Sequence, residues 1–116
     1  MKKICFLLLC SLVLCSQLTG CQQTGEVTDV DGNVYRTVII GGQEWMAENL
    51  KTTRYDNGDP IPNIIEIDEW SSLSTGAWCY CDNDEANNAV YGKLYNWHAV
   101  VDPRNLCPAD WHIPSD

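Results

Sequence analysis

Tyr91-Gly-Lys-Leu-Tyr-Asn-Trp-His-Ala-Val100, followed shortly by Leu106-Cys-Pro-Ala-Asp-Trp-His-Ile-Pro-Ser-Asp116, is the stretch on which the fold turns. In its first part Tyr91, Leu94, Tyr95 and His98 stand at i, i+3, i+4 and i+7, with Val101 one step further round. That spacing is one face of an amphipathic helix, so a helix is expected from Tyr91. The second part reads as a turn, a short buried strand over 111–113, and the opening of another helix. Pro114 disfavours helix for Ile113, and Ser115 or Asp116 would be a suitable N-cap. The helix itself would lie beyond Asp116, so the core is expected to be incomplete at its C-terminal side.

Upstream the pattern is β. Val27-Thr-Asp-Val30 and Val34-Tyr-Arg-Thr-Val-Ile-Ile40 flank Asp31-Gly32-Asn33. Asp-Gly between β-prone runs is a hairpin signal, because glycine takes positive φ without a steric penalty. Gly41-Gly42 marks a second turn, after which Gln43-Glu-Trp-Met-Ala47 runs back. The expectation is an antiparallel meander over 27–47. Asp29, Asp31 and Asn33 offer oxygens at alternate positions, as a calcium loop does. Counted from Asp29, however, glycine falls fourth and Ile40 twelfth, where an EF-hand needs glycine sixth and glutamate twelfth. A plain turn is the better reading.

Between the meander and Tyr91, Asn57-Gly58, Pro60 and Pro62 enforce turns and extended chain. Ile61, Ile64, Ile65 and Ile67 are apolar enough to hold that segment to the core. Asp68 to Leu73 suits one helical turn, capped by Asp68 and stopped at Gly76. Ala77-Trp-Cys-Tyr-Cys81 reads as a short strand with Cys79 and Cys81 on one side.

The first 20 residues do not belong to the domain. Lys2-Lys3 is a positive n-region and Ile4 to Leu14 an apolar run too short to span a bilayer comfortably. Leu18-Thr-Gly-Cys21 then resembles a bacterial lipobox. The resemblance implies cleavage before Cys21, a thioether lipid on its sulfur, and acylation, for example by palmitate, of the new amino terminus. Several acyl chains on one residue are enough for stable anchoring. The organisation expected is therefore a lipoprotein signal peptide over 1–20, a lipidated tether over 21–26 and one domain over 27–116.

Loss of Lys2 and Lys3 leaves five basic residues against sixteen acidic ones, a net charge of −11. Phosphate backbones repel such a surface, which argues against nucleic acid as a partner. The partners expected are the membrane, through the lipid, and a surface glycan or protein. Of seven cysteines, Cys79, Cys81 and Cys107 remain after processing and lipidation, in a disulfide-permissive compartment. They are the disulfide candidates, and their odd number leaves one without a partner among them.

Five blocks in order carry a family likeness: Asp31-Gly-Asn-Val-Tyr35, Trp45-Met-Ala-Glu-Asn-Leu50, Gly76-Ala-Trp-Cys-Tyr80, Tyr91-Gly-Lys-Leu-Tyr-Asn-Trp97 and Cys107-Pro-Ala-Asp-Trp-His-Ile-Pro114. From about Val27 onward the chain resembles the Fibrobacter succinogenes major paralogous domain. The resemblance implies continuation past Asp116 with a helix carrying a Glu-Trp pair, further strands and a late cysteine that would partner Cys107. The 111–116 segment is also similar to formylglycine-generating-enzyme-like and C-type-lectin-like domains. An α+β fold follows, irregular and loop-rich, with an antiparallel β-meander and one or two short helices. Cys81 stands where the family usually has an aromatic residue, and Asp110 where it usually has glycine. Aspartate tolerates the left-handed conformation that such a turn needs.

His98 and His112 are the only imidazoles. Their spacing from the cysteines fits no zinc pattern, and no metal, cofactor or catalytic residue is assigned. A Cys107–His pair lacks a third group to orient it. Trp45, Trp78, Trp97 and Trp111 sit in apolar patterns and are expected in the core, with Trp97, Trp111 and Ile113 left partly wet because the helix and strands expected beyond Asp116 would cover them. Trp70, among Asp68, Glu69, Ser71 and Ser72, is the one tryptophan expected at the surface and the candidate ligand-binding residue. The reading is a non-catalytic, lipid-anchored binding module of the cell envelope, with the outer membrane its expected destination. A remnant of a formylglycine-generating-like enzyme and a purely structural surface domain are the alternatives.

Overall fold

Around Asp31-Gly32 the backbone reverses as the dipeptide requires. Gly32 adopts φ +86° and its N–H donates to the Asp29 carbonyl at 3.0 Å. In the computed structural model, which describes residues 2–5 and 23–115, this turn joins β2 (Gln23–Thr28) to β3 (Val34–Ile40). Gly41 and Gly42, at φ +57° and +77°, turn β3 into β4 (Gln43–Met46). Both pairings are antiparallel, with Val27 opposite Tyr35 and Val38 opposite Trp45. The meander expected over 27–47 is present. Its first strand begins earlier, at Gln23, with a bulge between Gln23 and Gly25, so part of the expected tether is sheet.

The fourth strand of this sheet comes from the far N-terminus. β1 (Lys3–Ile4) lies parallel to β4, giving the order β1-β4-β3-β2. On its other side Ile4 bridges His112, also in parallel.

Leaving β4, the chain runs as turns through residues 47–66. Tyr55 N–H donates to Asp59 O and Ile61 N–H to Thr53 O, each at 2.9 Å, closing a small loop at Asn57-Gly58. Of the four isoleucines expected to hold this segment, Ile61 is buried and Ile64 partly so. Ile65 and Ile67 are exposed, the latter by 80%. α1 (Ile67–Ser72) is one short helix with an uncapped start at Glu66, rather than a helix capped by Asp68. With no buried residue it rides on the surface, which is why Ile67 stays in water.

A second sheet pairs β5 (Trp78–Tyr80) with β6 (Lys93–Tyr95). Here the structure departs from the helix expected at Tyr91. α2 (Asn88–Tyr91) ends there, Gly92 takes φ +66° and ψ −147°, and the next three residues form the strand. A Cβ on Gly92 would stand 2.5 Å from the Leu50 carbonyl oxygen, so only glycine fits this close approach. Helix resumes for one turn as α3 (Trp97–Val100), where the Asn96 side chain accepts from Ala99 N–H. A glycine and a capping asparagine thus divide one apparent helical face into helix, strand and helix.

Both sheets and the 47–66 segment close on one core: Cys5, Tyr35, Met46, Leu50, Tyr55, Ile61, Trp78, Leu106, Cys107 and Trp111. The architecture is α+β, small and loop-rich. Among the described residues no helix is long and apolar enough to cross a membrane.

Candidate functional site

The three cysteines singled out in the sequence fall in two places. Cys79 sits in β5 opposite Leu94, on the strand face away from Trp78 and Tyr80, and Cys81 follows at the strand's end. Both are half-buried thiols. Asp82 and Asn83, at φ 55° and 53°, then bend the chain away from the strand. Burial, and then the neighbouring Cys81, push the Cys79 thiol up, making it a poor nucleophile at neutral pH.

Cys107 lies elsewhere, fully buried in one core cluster with Cys5, a residue within the segment expected to be a leader. A hydrogen bond with the Cys107 thiol, together with burial, holds the Cys5 thiol far above the usual range. No disulfide joins the described cysteines. Cys21 lies outside the described residues. His98 and His112 are both exposed, and among the described residues no cluster of three or more His, Cys, Asp or Glu side chains could hold a metal ion.

The acidic turn is fully engaged by protein donors. Asp29 Oδ1 accepts from Asp31 N–H and Asn33 N–H, and Oδ2 from Asn33 Nδ2, all at 2.9 Å. Tyr35 donates its hydroxyl proton to Oδ2 at 2.6 Å and accepts from Lys51 N–H at 2.8 Å. Asp31 Oδ2 accepts from the N–H and the hydroxyl of Thr53, each at 2.6 Å, with Arg54 3.4 Å from Oδ1. These carboxylates tie the hairpin to the 51–54 segment. Burial opposes ionisation of Asp31, but the Thr53 hydrogen bonds and Arg54 prevail and hold its carboxyl below the usual range.

On the inner face of the second sheet Lys93 is 5% exposed, with its ammonium 4.8 Å from the Trp78 ring centre and 5.3 Å from that of Tyr80. Asn88 Oδ1 accepts from it at 3.0 Å. Burial lowers its pKa, while Asp31 and Asp29 work the other way. A cation held between two aromatic faces beside a short strand is a packing arrangement that replaces lost water. The alternation of Trp78 and Tyr80 opposite Lys93 was its only trace in the sequence.

The tryptophans also sort differently from expectation. Trp78 and Trp111 are core residues, and Trp78 donates its indole N–H to Ile61 O at 2.9 Å. Trp70, expected outside, is half-buried on α1. Of the two core tryptophans expected to stay partly wet, Trp111 is only 6% exposed, whereas Trp97 is 71% exposed at the start of α3, with Val101 exposed one turn on. The reason is local. α3 is a single turn that buries Ala99 against Gly76 and turns its opposite side outward.

A family model described as Fibrobacter succinogenes major domain matches residues 38–116. No curated protein and no solved structure matches the chain.

Proposed function

We propose that this chain, which belongs to the Fibrobacter succinogenes major domain family through residues 38–116, is a lipid-anchored, non-catalytic binding module of the cell envelope. The observation that carries the reading is the Trp97 ring, 71% exposed beside exposed Val101. We read this ring, with Val101 on the same side of the turn, as the apolar centre of the binding site, since tryptophan combines a large apolar face with a polar N–H. On an exported protein its flat face suits a sugar ring, with a protein surface the second choice. The lipobox-like Leu18-Thr-Gly-Cys21 supports anchoring, and the surplus of acidic residues supports a neutral or basic partner over nucleic acid. The suppressed Cys79 thiol and the buried Cys107 favour binding over thiol chemistry.

The test is binding of the full chain to an array of surface glycans, beside Trp97→Ala. Removing a central aromatic should weaken binding about tenfold or more. Equal binding by the two proteins, or none by either, would overturn Trp97 as a glycan platform.

A further inference from the structure

Lys93 is the one buried lysine among the described residues, and no ion pair there includes it. Its ammonium is met instead by a carboxamide, with Nζ donating to Asn88 Oδ1 at 3.0 Å. A flipped amide would set donor against donor, so the carbonyl side of the carboxamide faces the amine. Both partners are fixed through their backbones. Asn88 opens α2, where its N–H donates to Glu85 O and its carbonyl accepts from Gly92 N–H at 3.0 Å. Lys93 is paired with Tyr80 in the second sheet and donates its N–H to Leu50 O at 3.0 Å. Gly92, at φ +66°, turns helix into strand between them and so brings together two side chains five positions apart.

We propose that this contact is a modification site, at which the Lys93 amine condenses with the Asn88 carboxamide to form an intramolecular isopeptide bond. The neutral amine attacks Cγ, so that an Nζ–Cγ bond forms and the carbonyl opens to a tetrahedral adduct. One proton passes from Nζ to Nδ2. The Cγ–Nδ2 bond then breaks, its electron pair leaves with the nitrogen as ammonia, and the carbonyl re-forms as a secondary amide. Amide and ammonia together hold every atom of the two side chains, so no oxidant and no second substrate enters. Burial without a carboxylate partner favours the neutral form of a lysine, which is the nucleophile. That burial lowers the Lys93 pKa, although Asp31 and Asp29 oppose it. A contact held by two anchored backbones also makes the reaction intramolecular, which removes most of its entropic barrier. Asn88 is only half-buried, which leaves ammonia a way out to solvent. The Trp78 and Tyr80 rings, 4.8 and 5.3 Å from Nζ, hold the ammonium beforehand and pack against an uncharged amide afterwards. The new bond closes a ring around Gly92 and locks the corner where the second sheet meets Leu50.

The test is peptide mass mapping of the full chain, purified and stored in its folded state. The map reads residues 88–93 directly, so processing at either end of the chain does not affect it. That segment should be lighter by one ammonia, trypsin should no longer cut after Lys93, and fragment spectra should place the link between Asn88 and Lys93. A sample stored in urea should keep the segment at full mass and be cut, because the contact is lost. Lys93→Arg keeps the charge and Asn88→Ser keeps an oxygen acceptor, but neither can form the bond, and both should keep the ammonia. A cyclic imide on Asn88 also releases one ammonia; hydroxylamine cleaves the chain at such an imide and leaves an isopeptide bond intact. The proposal is overturned by a folded chain that keeps its full mass and is cut after Lys93, by a loss of ammonia that persists in Lys93→Arg, or by cleavage with hydroxylamine.

Discussion

Tyr35 donates its hydroxyl proton to Asp29 Oδ2 at 2.6 Å, across the first hairpin, and accepts from Lys51 N–H on the segment that follows the meander. One buried hydroxyl thus joins the turn to the chain that crosses the core. Tyr35→Phe keeps the ring and deprives two groups of a partner each. Urea unfolding should show a loss of about 1–3 kcal/mol. An unchanged midpoint would mean that water satisfies both groups.

Gly76 is buried against α3, and a Cβ there would run into the Tyr55 hydroxyl and stand 3.1 Å from Ala99 Cα. Gly76→Ala should therefore destabilise by about 1–3 kcal/mol, the usual cost of overpacking. The additional variant Tyr55→Phe removes the nearer obstacle and should recover part of that loss.

Asp110 adopts φ 69° in the turn before Trp111. Glycine takes that conformation freely, so Asp110→Gly should raise stability by roughly 0.5–1 kcal/mol. A thermal melt that moves downward would show that the aspartate side chain does something in the turn beyond tolerating it.

Acid should loosen the tie between hairpin and core. The Asp31 carboxyl is held below its ordinary value of 3.8, so its contribution is present above that pH and is lost as pH falls through the lower folded value. Alkali acts through tyrosine. Burial pushes the Tyr35 and Tyr95 hydroxyls above 10, so the stability they contribute is complete below pH 10 and falls as pH rises past it. Asp31→Asn should flatten the acid limb of stability against pH and leave the alkaline limb in place.

The two exposure extremes among the tryptophans give a contrast within one residue type. Trp97→Ala should change stability by less than about 0.5 kcal/mol, while Trp111→Ala, in the core, should cost about 3–5 kcal/mol. Comparable losses would mean that Trp97 is covered in solution.

Where a short signal dictated backbone geometry, the sequence was a reliable guide. Asp31-Gly32 and Gly41-Gly42 placed both turns of the meander, and Asp110 took the left-handed conformation expected of it. The helix expected from Tyr91 failed because its apolar spacing also fits helix, strand and helix in succession. What separates these is the close approach of Gly92 to Leu50 O, a tertiary contact that no local pattern records. Trp97 is more exposed than the partly wet core residue expected, because it lies on the side of α3 opposite the buried Ala99. The pairing of Lys3–Ile4 with β4 joins positions some 40 residues apart, and the leader-like composition of that segment gave no reason to seek it. Cys79, Cys81 and Cys107 were legible as thiols of interest, but the neighbour of Cys107 was not.

The central claim is that an acylated cysteine anchors this domain, and metabolic labelling tests it most directly. Cells expressing the full chain are grown with an alkyne-bearing fatty acid, and the protein is recovered and its amino terminus sequenced. The account predicts a labelled protein whose chain begins at Cys21, and an unlabelled one for Cys21→Ser. A label that survives Cys21→Ser, or an unlabelled chain still carrying residues 1–20, would contradict it.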